Sequence, residues 1–190
     1  PEGYVERQVS NWGKQYVKAK TDEYSEAEMV MNWMQENQPK KYDYCLIHND
    51  FKYDNVVFKD DSWQEISAVL DWEMATLGDP LMDLGTSLGY WTVATDHDFV
   101  KQGIPSPTVF KGNPIRSEIA KMYAEKSGRN VDKLVFYYVF GLFKIAVIAQ
   151  QIYFRYTKGW TTDPRFANLN KAAELCCKLA LKSIKTKSID

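Results

Sequence analysis

The chain has 190 residues, with 24 Lys and Arg against 25 Asp and Glu, so its formal net charge is −1. An apolar share of 45 %, with 14 % aromatic and 26 % charged residues, fits a globular core and excludes disordered, collagenous and low-complexity chains. Balanced charge gives no reason to expect a nucleic-acid partner, because phosphate-backbone binding shows as a clustered basic excess, and the length suits one domain.

The opening PEGYVERQVSNW has neither a charged leader before an apolar stretch nor a small-residue cleavage site, so it does not read as a secretory signal. Val5, Val9, Trp12 and Tyr16 recur on one face of a first helix. A second helix is expected from Ser25, where Ser25 and Glu28 have capping-box spacing; it turns Ala27, Val30, Trp33 and Met34 inward and stops before Pro39. Then the period changes. Residues 44–47 (YCLI), 56–58 (VVF) and 66–70 (ISAVL) read as three short strands, the last two forming a hairpin around the polar turn Lys59 to Ser62.

From Pro80 the pattern is helical again, interrupted by a loop-like region at 101–114 that holds three prolines and two glycines. Three more helices are expected, over 116–127, 131–156 and 164–184, the last with Phe166, Leu169, Ala173, Cys176 and Ala180 on one face. The stretch from Leu134 to Tyr156 is apolar almost throughout, but Lys144, Gln150, Gln151 and Arg155 leave no run of about 18 uncharged apolar residues. It is expected to be a central core helix and not a membrane span. Cys45, Cys176 and Cys177 form no disulfide framework and no C-x-x-C motif, which points to small buried side chains in a reducing cytoplasm. The fold expected is α+β and mostly helical, a single domain over 1–190 with a short β-hairpin insert.

The informative segment is His48-Asn49-Asp50-Phe51-Lys52-Tyr53-Asp54-Asn55, with Asp71 following in VLDWE. A lone D-x-x-x-x-N means little, since Asp and Asn are common turn residues. Here His48 precedes Asp50 by two positions, strands flank the segment, and Asp71 ends a later strand, so the three polar side chains can converge at one end of a small sheet. Phosphoryl transfer from a nucleotide needs such a set, because its loose transition state asks mainly for positioning and charge neutralisation. Asp50 would take the proton of an acceptor hydroxyl. Asn55 and Asp71 would hold Mg²⁺, whose remaining ligands come from phosphates and water. The pattern matches the protein-kinase catalytic loop and its later metal-binding Asp, with Asn49 in place of Arg and Asp71-Trp72-Glu73 in place of Asp-Phe-Gly.

HNDFKYDN followed by VLDWEMATLGDPLMDLG resembles the aminoglycoside phosphotransferase family, which carries H-G-D-x-x-x-x-N, then I-D-W/F-E, then G-D-P-x-x-D-L. Within it, PEGYVERQV and YVFGLFKIAVIAQQIYFRYTKG are most similar to the branch related to the kinase-like region of acyl-CoA dehydrogenase family members 10 and 11. The resemblance covers nearly the whole chain. It implies a protein-kinase-like C-terminal lobe that phosphorylates a small-molecule hydroxyl from ATP or GTP, with Asp50 as catalytic base and Asn55 and Asp71 as Mg²⁺ ligands. Asn49 stands where the family usually has Gly.

The flanking residues carry separate expectations. His48 is read as a structural residue of the catalytic loop, and Lys52 as either a phosphate contact or a solvated lysine. Asp79 suits a helix N-cap before Pro80, and Asp83, one turn on, is expected to brace the loop. Tyr90 and Trp91 are candidates for an acceptor pocket, as are Tyr153, Tyr156 and Trp160, although aromatic residues at helical spacing are more often core. His97 reads as an exposed loop residue.

A kinase of this kind also needs an N-terminal nucleotide lobe with a phosphate-covering loop and a strand Lys, and no such segment precedes His48. The chain is therefore expected to be the C-terminal lobe of a longer polypeptide, inactive or nearly so alone. Two other readings stand beside this one. A non-catalytic, pseudokinase-like helical binding module would have no reason to keep both metal ligands. A two-carboxylate hydrolase would leave Asn55 without a role.

Overall fold

The computed structural model describes residues 2–190. Helices α1 (Tyr4–Ala19) and α2 (Ser25–Glu36) lead into strand β1 (Cys45–Ile47). Strands β2 (Val56–Phe58), β3 (Ile66–Val69) and β4 (Thr76–Gly78) follow, then helices α3 (Pro80–Tyr90), α4 (Asp98–Gly103), α5 (Arg116–Ser127), α6 (Leu134–Thr157) and α7 (Leu169–Thr186). The architecture is the expected helical one, and the differences lie at its edges. The strands make two separate antiparallel pairs and no common sheet: the expected hairpin β2–β3, and β1 with β4, a strand the sequence reading passed over. In that second pair Cys45 faces Gly78 and Ile47 faces Thr76.

Four further boundaries differ, each for a local reason. Ser25 lies inside α2 with Tyr24 at the cap position, and its hydroxyl turns to Glu26, so the capping box does not form. The loop-like region at 101–114 begins inside α4, whose start is capped by the exposed His97 accepting from the Phe99 N–H at 3.2 Å. Residues 131–133 precede α6, the last two of them as a turn. At the other end, a short 3₁₀ turn at Pro164–Phe166, capped by Asp163, is separate from α7.

Helix α6 is the axis of the fold and packs against α7, α3, α1 and α2. By length and composition it could cross a membrane, yet 78 % of its most apolar window is buried within the fold. Residues on all its sides are covered, including Tyr137, Leu142, Phe143 and Val147, and large apolar side chains buried this way contribute roughly 1.5–3 kcal/mol each. Its internal polar residue Gln150 is fully buried and donates to the Ala19 carbonyl at 3.0 Å and the Thr21 hydroxyl at 2.9 Å, tying α6 to the end of α1.

The contact of α3 with α6 is made backbone to backbone. A Cβ on Gly85 would lie 2.2 Å from the Tyr137 carbonyl oxygen, and one on Gly141 would lie 2.2 Å from the Gly85 oxygen. Neither helix can retreat without opening the core. Gly85→Ala is expected to destabilise the chain by about 2–3 kcal/mol, the upper range for overpacking a core, read as a lowered urea midpoint at unchanged m-value.

Candidate active site

Strand β1 ends at Ile47 and delivers His48 to the head of α3. There Asp79 caps the helix, accepting from the Leu81 N–H at 2.9 Å, while the buried Tyr137 hydroxyl donates to its second oxygen at 2.6 Å. Burial raises the Asp79 carboxyl pKa, against the lowering effect of these two bonds. One turn along, Asp83 accepts the N–H of His48 and the N–H of Asn49, each at 2.8 Å, on its two oxygens. Asp79 is thus the N-cap, and Asp83 the brace, that the sequence predicts.

His48 is buried, and both of its ring nitrogens are engaged. Nε2 lies 2.7 Å from the Leu70 carbonyl, and Nδ1 accepts the Asp50 N–H at 3.2 Å. That assignment places the proton on Nε2 and leaves no nitrogen for nucleophilic or metal-binding work. Its ring packs against Trp72, with centroids 4.7 Å apart.

Asn49 has φ 68°, the left-handed region. This explains why Gly is usual at the position, and Asn is among the non-glycine residues that tolerate it best. Its side chain donates to the Met74 carbonyl at 3.0 Å. Asp71 also has a left-handed backbone, with φ 61°. Left-handed non-glycine residues carry strain that gathers at functional sites, and two of the four such residues among those described lie here.

Asp50 is half-buried and held on two sides. Lys52 Nζ donates to its carboxylate oxygens at 2.9 and 3.1 Å, and Asn55 Nδ2 donates to its carbonyl at 2.8 Å and to a carboxylate oxygen at 3.1 Å. The Asn55 carbonyl accepts the Leu70 N–H at 2.8 Å. Leu70 is therefore tied to both His48 and Asn55, and the next residue is Asp71. The hairpin β2–β3 thus sets Asp71 one residue beyond a backbone tied to the 48–55 segment, although the strands form two separate pairs and not the one small sheet expected.

Asn55 Oδ1 and the exposed Asp71 carboxylate have no hydrogen-bond donor among the described residues, and both are hard oxygen ligands of the kind Mg²⁺ takes. Among the described residues no three His, Cys, Asp or Glu side chains gather as a metal cluster. A cation held here would draw its other ligands from phosphates and water.

A cavity of about 350 Å³ opens beside the loop, with Lys52, Asp54, Ser87, Tyr90, Trp91 and Thr108 among its lining residues. Lys52 Nζ lies 4.9 Å from the Tyr90 ring centroid. Trp91 donates to the Pro114 carbonyl at 2.9 Å, and the Tyr53 hydroxyl donates to Asn113 Oδ1 at 3.0 Å, so the segment after α4 is fastened down as the cavity's far wall. Tyr90 and Trp91 line this cavity as expected. Tyr153, Tyr156 and Trp160 do not; Trp160 is 72 % exposed near the C-terminal end of α6. Lys52 lines the cavity, whereas Asn55 and Asp71 are not among its lining residues.

One residue at this site escaped the sequence reading. Lys144 is only 4 % exposed, and its Nζ donates to the Asn49 carbonyl at 2.7 Å. The signal was present as a lone cation in an otherwise apolar run. Burial lowers its pKa to about 8, against the raising influence of the Asp50 and Asp83 carboxylates.

Two measurements follow from this geometry. Asp83→Ala leaves two consecutive N–H groups without their acceptor and is expected to cost about 2–3 kcal/mol, read by urea denaturation. Lys144 has a folded pKa of about 8 against an ordinary 10.5, so between those values the unfolded chain binds more protons. Its stabilising contribution is fully present above about pH 10.5 and is lost as pH falls through 8. The stability of the wild-type chain relative to Lys144→Met is therefore expected to rise from pH 7.5 to pH 10, and a flat difference would refute the assignment.

Comparison with known proteins places the chain. The family model described as "Phosphotransferase enzyme family" (APH) matches residues 1–105. Mouse acyl-CoA dehydrogenase family member 10 is 33 % identical over 187 residues, which is 93 % of this chain and 17 % of that protein. Human acyl-CoA dehydrogenase family member 11 is 37 % identical over 161 residues, 83 % of this chain and 20 % of that protein. The chain thus spans about a fifth of the length of these relatives. A crystal structure from Ralstonia eutropha JMP134, described as a "putative aminoglycoside phosphotransferase", superposes with a TM-score of 0.84 at 26 % identity, covering 98 % of this chain and 56 % of that one. The fold is that of a kinase-like lobe, and the chain belongs to the APH phosphotransferase family.

Proposed function

We propose that this chain is the catalytic-loop and acceptor-binding lobe of a kinase that moves the terminal phosphoryl group of ATP or GTP to a hydroxyl of a small molecule. The observation that carries this reading is the arrangement around Asp50, whose carboxylate is held between Lys52 and Asn55, with Asp71 following Leu70, whose N–H bonds the Asn55 carbonyl. The acceptor occupies the cavity beside Lys52, and its hydroxyl proton passes to the Asp50 carboxylate. As the new O–P bond forms, the bond from phosphorus to the nucleoside diphosphate breaks. Lys52 leaves its ion pair with Asp50 to meet the transferred phosphate. Asn55 and Asp71 would hold Mg²⁺, which would supply neutralisation of phosphate charge.

We place the nucleotide under an N-terminal lobe in the same polypeptide. Support comes from apolar side chains left open around the loop: Leu46, Leu77, Ile66, Leu70, Trp72 and Met74 are all more than 40 % exposed, more than a finished surface usually leaves side by side. Three free cysteines suit a reducing cytoplasm.

The test uses the full polypeptide. Asp71→Ala is expected to abolish Mg²⁺-dependent ATP or GTP binding measured by calorimetry. Asp50→Asn is expected to keep that binding and lower turnover by roughly 10² to 10⁴, the usual contribution of a positioned general base. An unchanged rate would remove Asp50 from its role. Nucleotide binding that survives Asp71→Ala, with no turnover across a panel of hydroxyl compounds, would favour a binding module.

A further inference from the structure

Through its N–H, its side-chain amide nitrogen and its carbonyl oxygen, Asn49 reaches three different parts of the fold. Its N–H goes to Asp83 on α3, its side chain to Met74 in the turn after Asp71, and its carbonyl oxygen to Lys144 on α6. The N–H on the far side of that last peptide bond, belonging to Asp50, goes to His48 Nδ1. The peptide is planar, so fixing its C=O from α6 and its N–H from His48 fixes the plane from which the Asp50 side chain departs.

Packing alone does not call for a lysine here. A buried ammonium is costly to desolvate, and Lys144 has no carboxylate within salt-bridge distance among the described residues. Its neighbours are the Asn49 carbonyl, the Trp12 ring 5.6 Å away on α1, the carboxylates of Asp50 and, on α3, Asp83, and the opposing cation of Lys52. A neutral side chain of similar length would fill the space without the desolvation cost. What the lysine brings is a donor aimed at the Asn49 carbonyl, together with a positive charge near the carboxylates of Asp50 in the loop and Asp83 on α3.

We propose that Lys144 is a positioning residue for phosphoryl transfer: from the core helix it clamps the Asn49–Asp50 peptide and keeps the Asp50 side chain aimed. The proposal rests on Asp50 being the catalytic base, and it extends the active site to a residue 95 positions away in sequence. Lys144 touches neither acceptor nor nucleotide. Its removal should therefore act on the rate of the chemical step and not on substrate affinity.

The experiment compares wild type, Asp50→Asn, Lys144→Met and Lys144→Gln in the full polypeptide, with Mg²⁺·ATP as the probe. Lys144→Met is expected to lower kcat by roughly 10- to 100-fold, to leave KM for ATP within about threefold, and to melt no lower than wild type, since a desolvated charge has been removed. Lys144→Gln, which keeps a donor without the charge, is expected to recover part of the lost rate. The kcat of wild type should fall on an alkaline limb near pH 8 that Lys144→Met lacks. A second readout does not depend on turnover. Amide hydrogen exchange should accelerate in residues 48–55 of Lys144→Met while α6 and α7 keep their protection. Unchanged kcat in an active protein, or unchanged exchange in that segment, overturns the proposal. A wild type without Asp50-dependent turnover instead overturns the assigned catalytic role of Asp50, and with it the catalytic part of the Lys144 proposal, while the exchange result decides the clamp by itself.

Discussion

One carboxylate, that of Asp83, accepts the N–H groups of His48 and Asn49 together, and most of the site follows from that pairing. The backbone at His48 turns two successive N–H groups onto one acceptor, and the left-handed conformation of Asn49 that follows bends the chain on toward Asp50. Hydrogen bonds to a charged acceptor are among the stronger ones, which suits a group asked to hold an unfavourable φ. The turn then aims the next peptide at His48 and Lys144. Asp50 comes off it facing Lys52 and Asn55.

Asp83 can serve this way because its helix cannot shift. Helix α3 is capped at Asp79 by its own backbone and by Tyr137 from α6, and a turn later Gly85 lets the two helix backbones touch. Core and site are thus one construction. The glycine contact sets how close α3 lies to α6, and that distance decides whether Asp83 and Lys144 both reach the loop between them.

The polar network also settles the charge of the loop's own carboxylate. Asp50 is paired with Lys52, so its charge is not left uncompensated in a half-buried place. Asp71 and Asn55 Oδ1, by contrast, have no donors among the described residues. Among the described residues the loop thus holds one carboxylate paired and two side-chain oxygens open.

Much of this was legible in the sequence because it depends on neighbours in the chain. The helix faces of α1, α2 and α7, the hairpin β2–β3, the cap at Asp79 with Pro80, and the set of Asp50, Asn55 and Asp71 are written in short spacings and residue types. Where an element was missed, the local signal was weak: β4 is three residues long and owes its extended state to β1, and α4 is a short helix capped by a histidine. Only the tertiary structure decided that Lys144 belongs to the site. Periodicity places a residue on its own helix but says nothing of which distant carbonyl it meets, and this contact exists because the packing of α6 against α3 brings segments 95 residues apart to hydrogen-bonding distance.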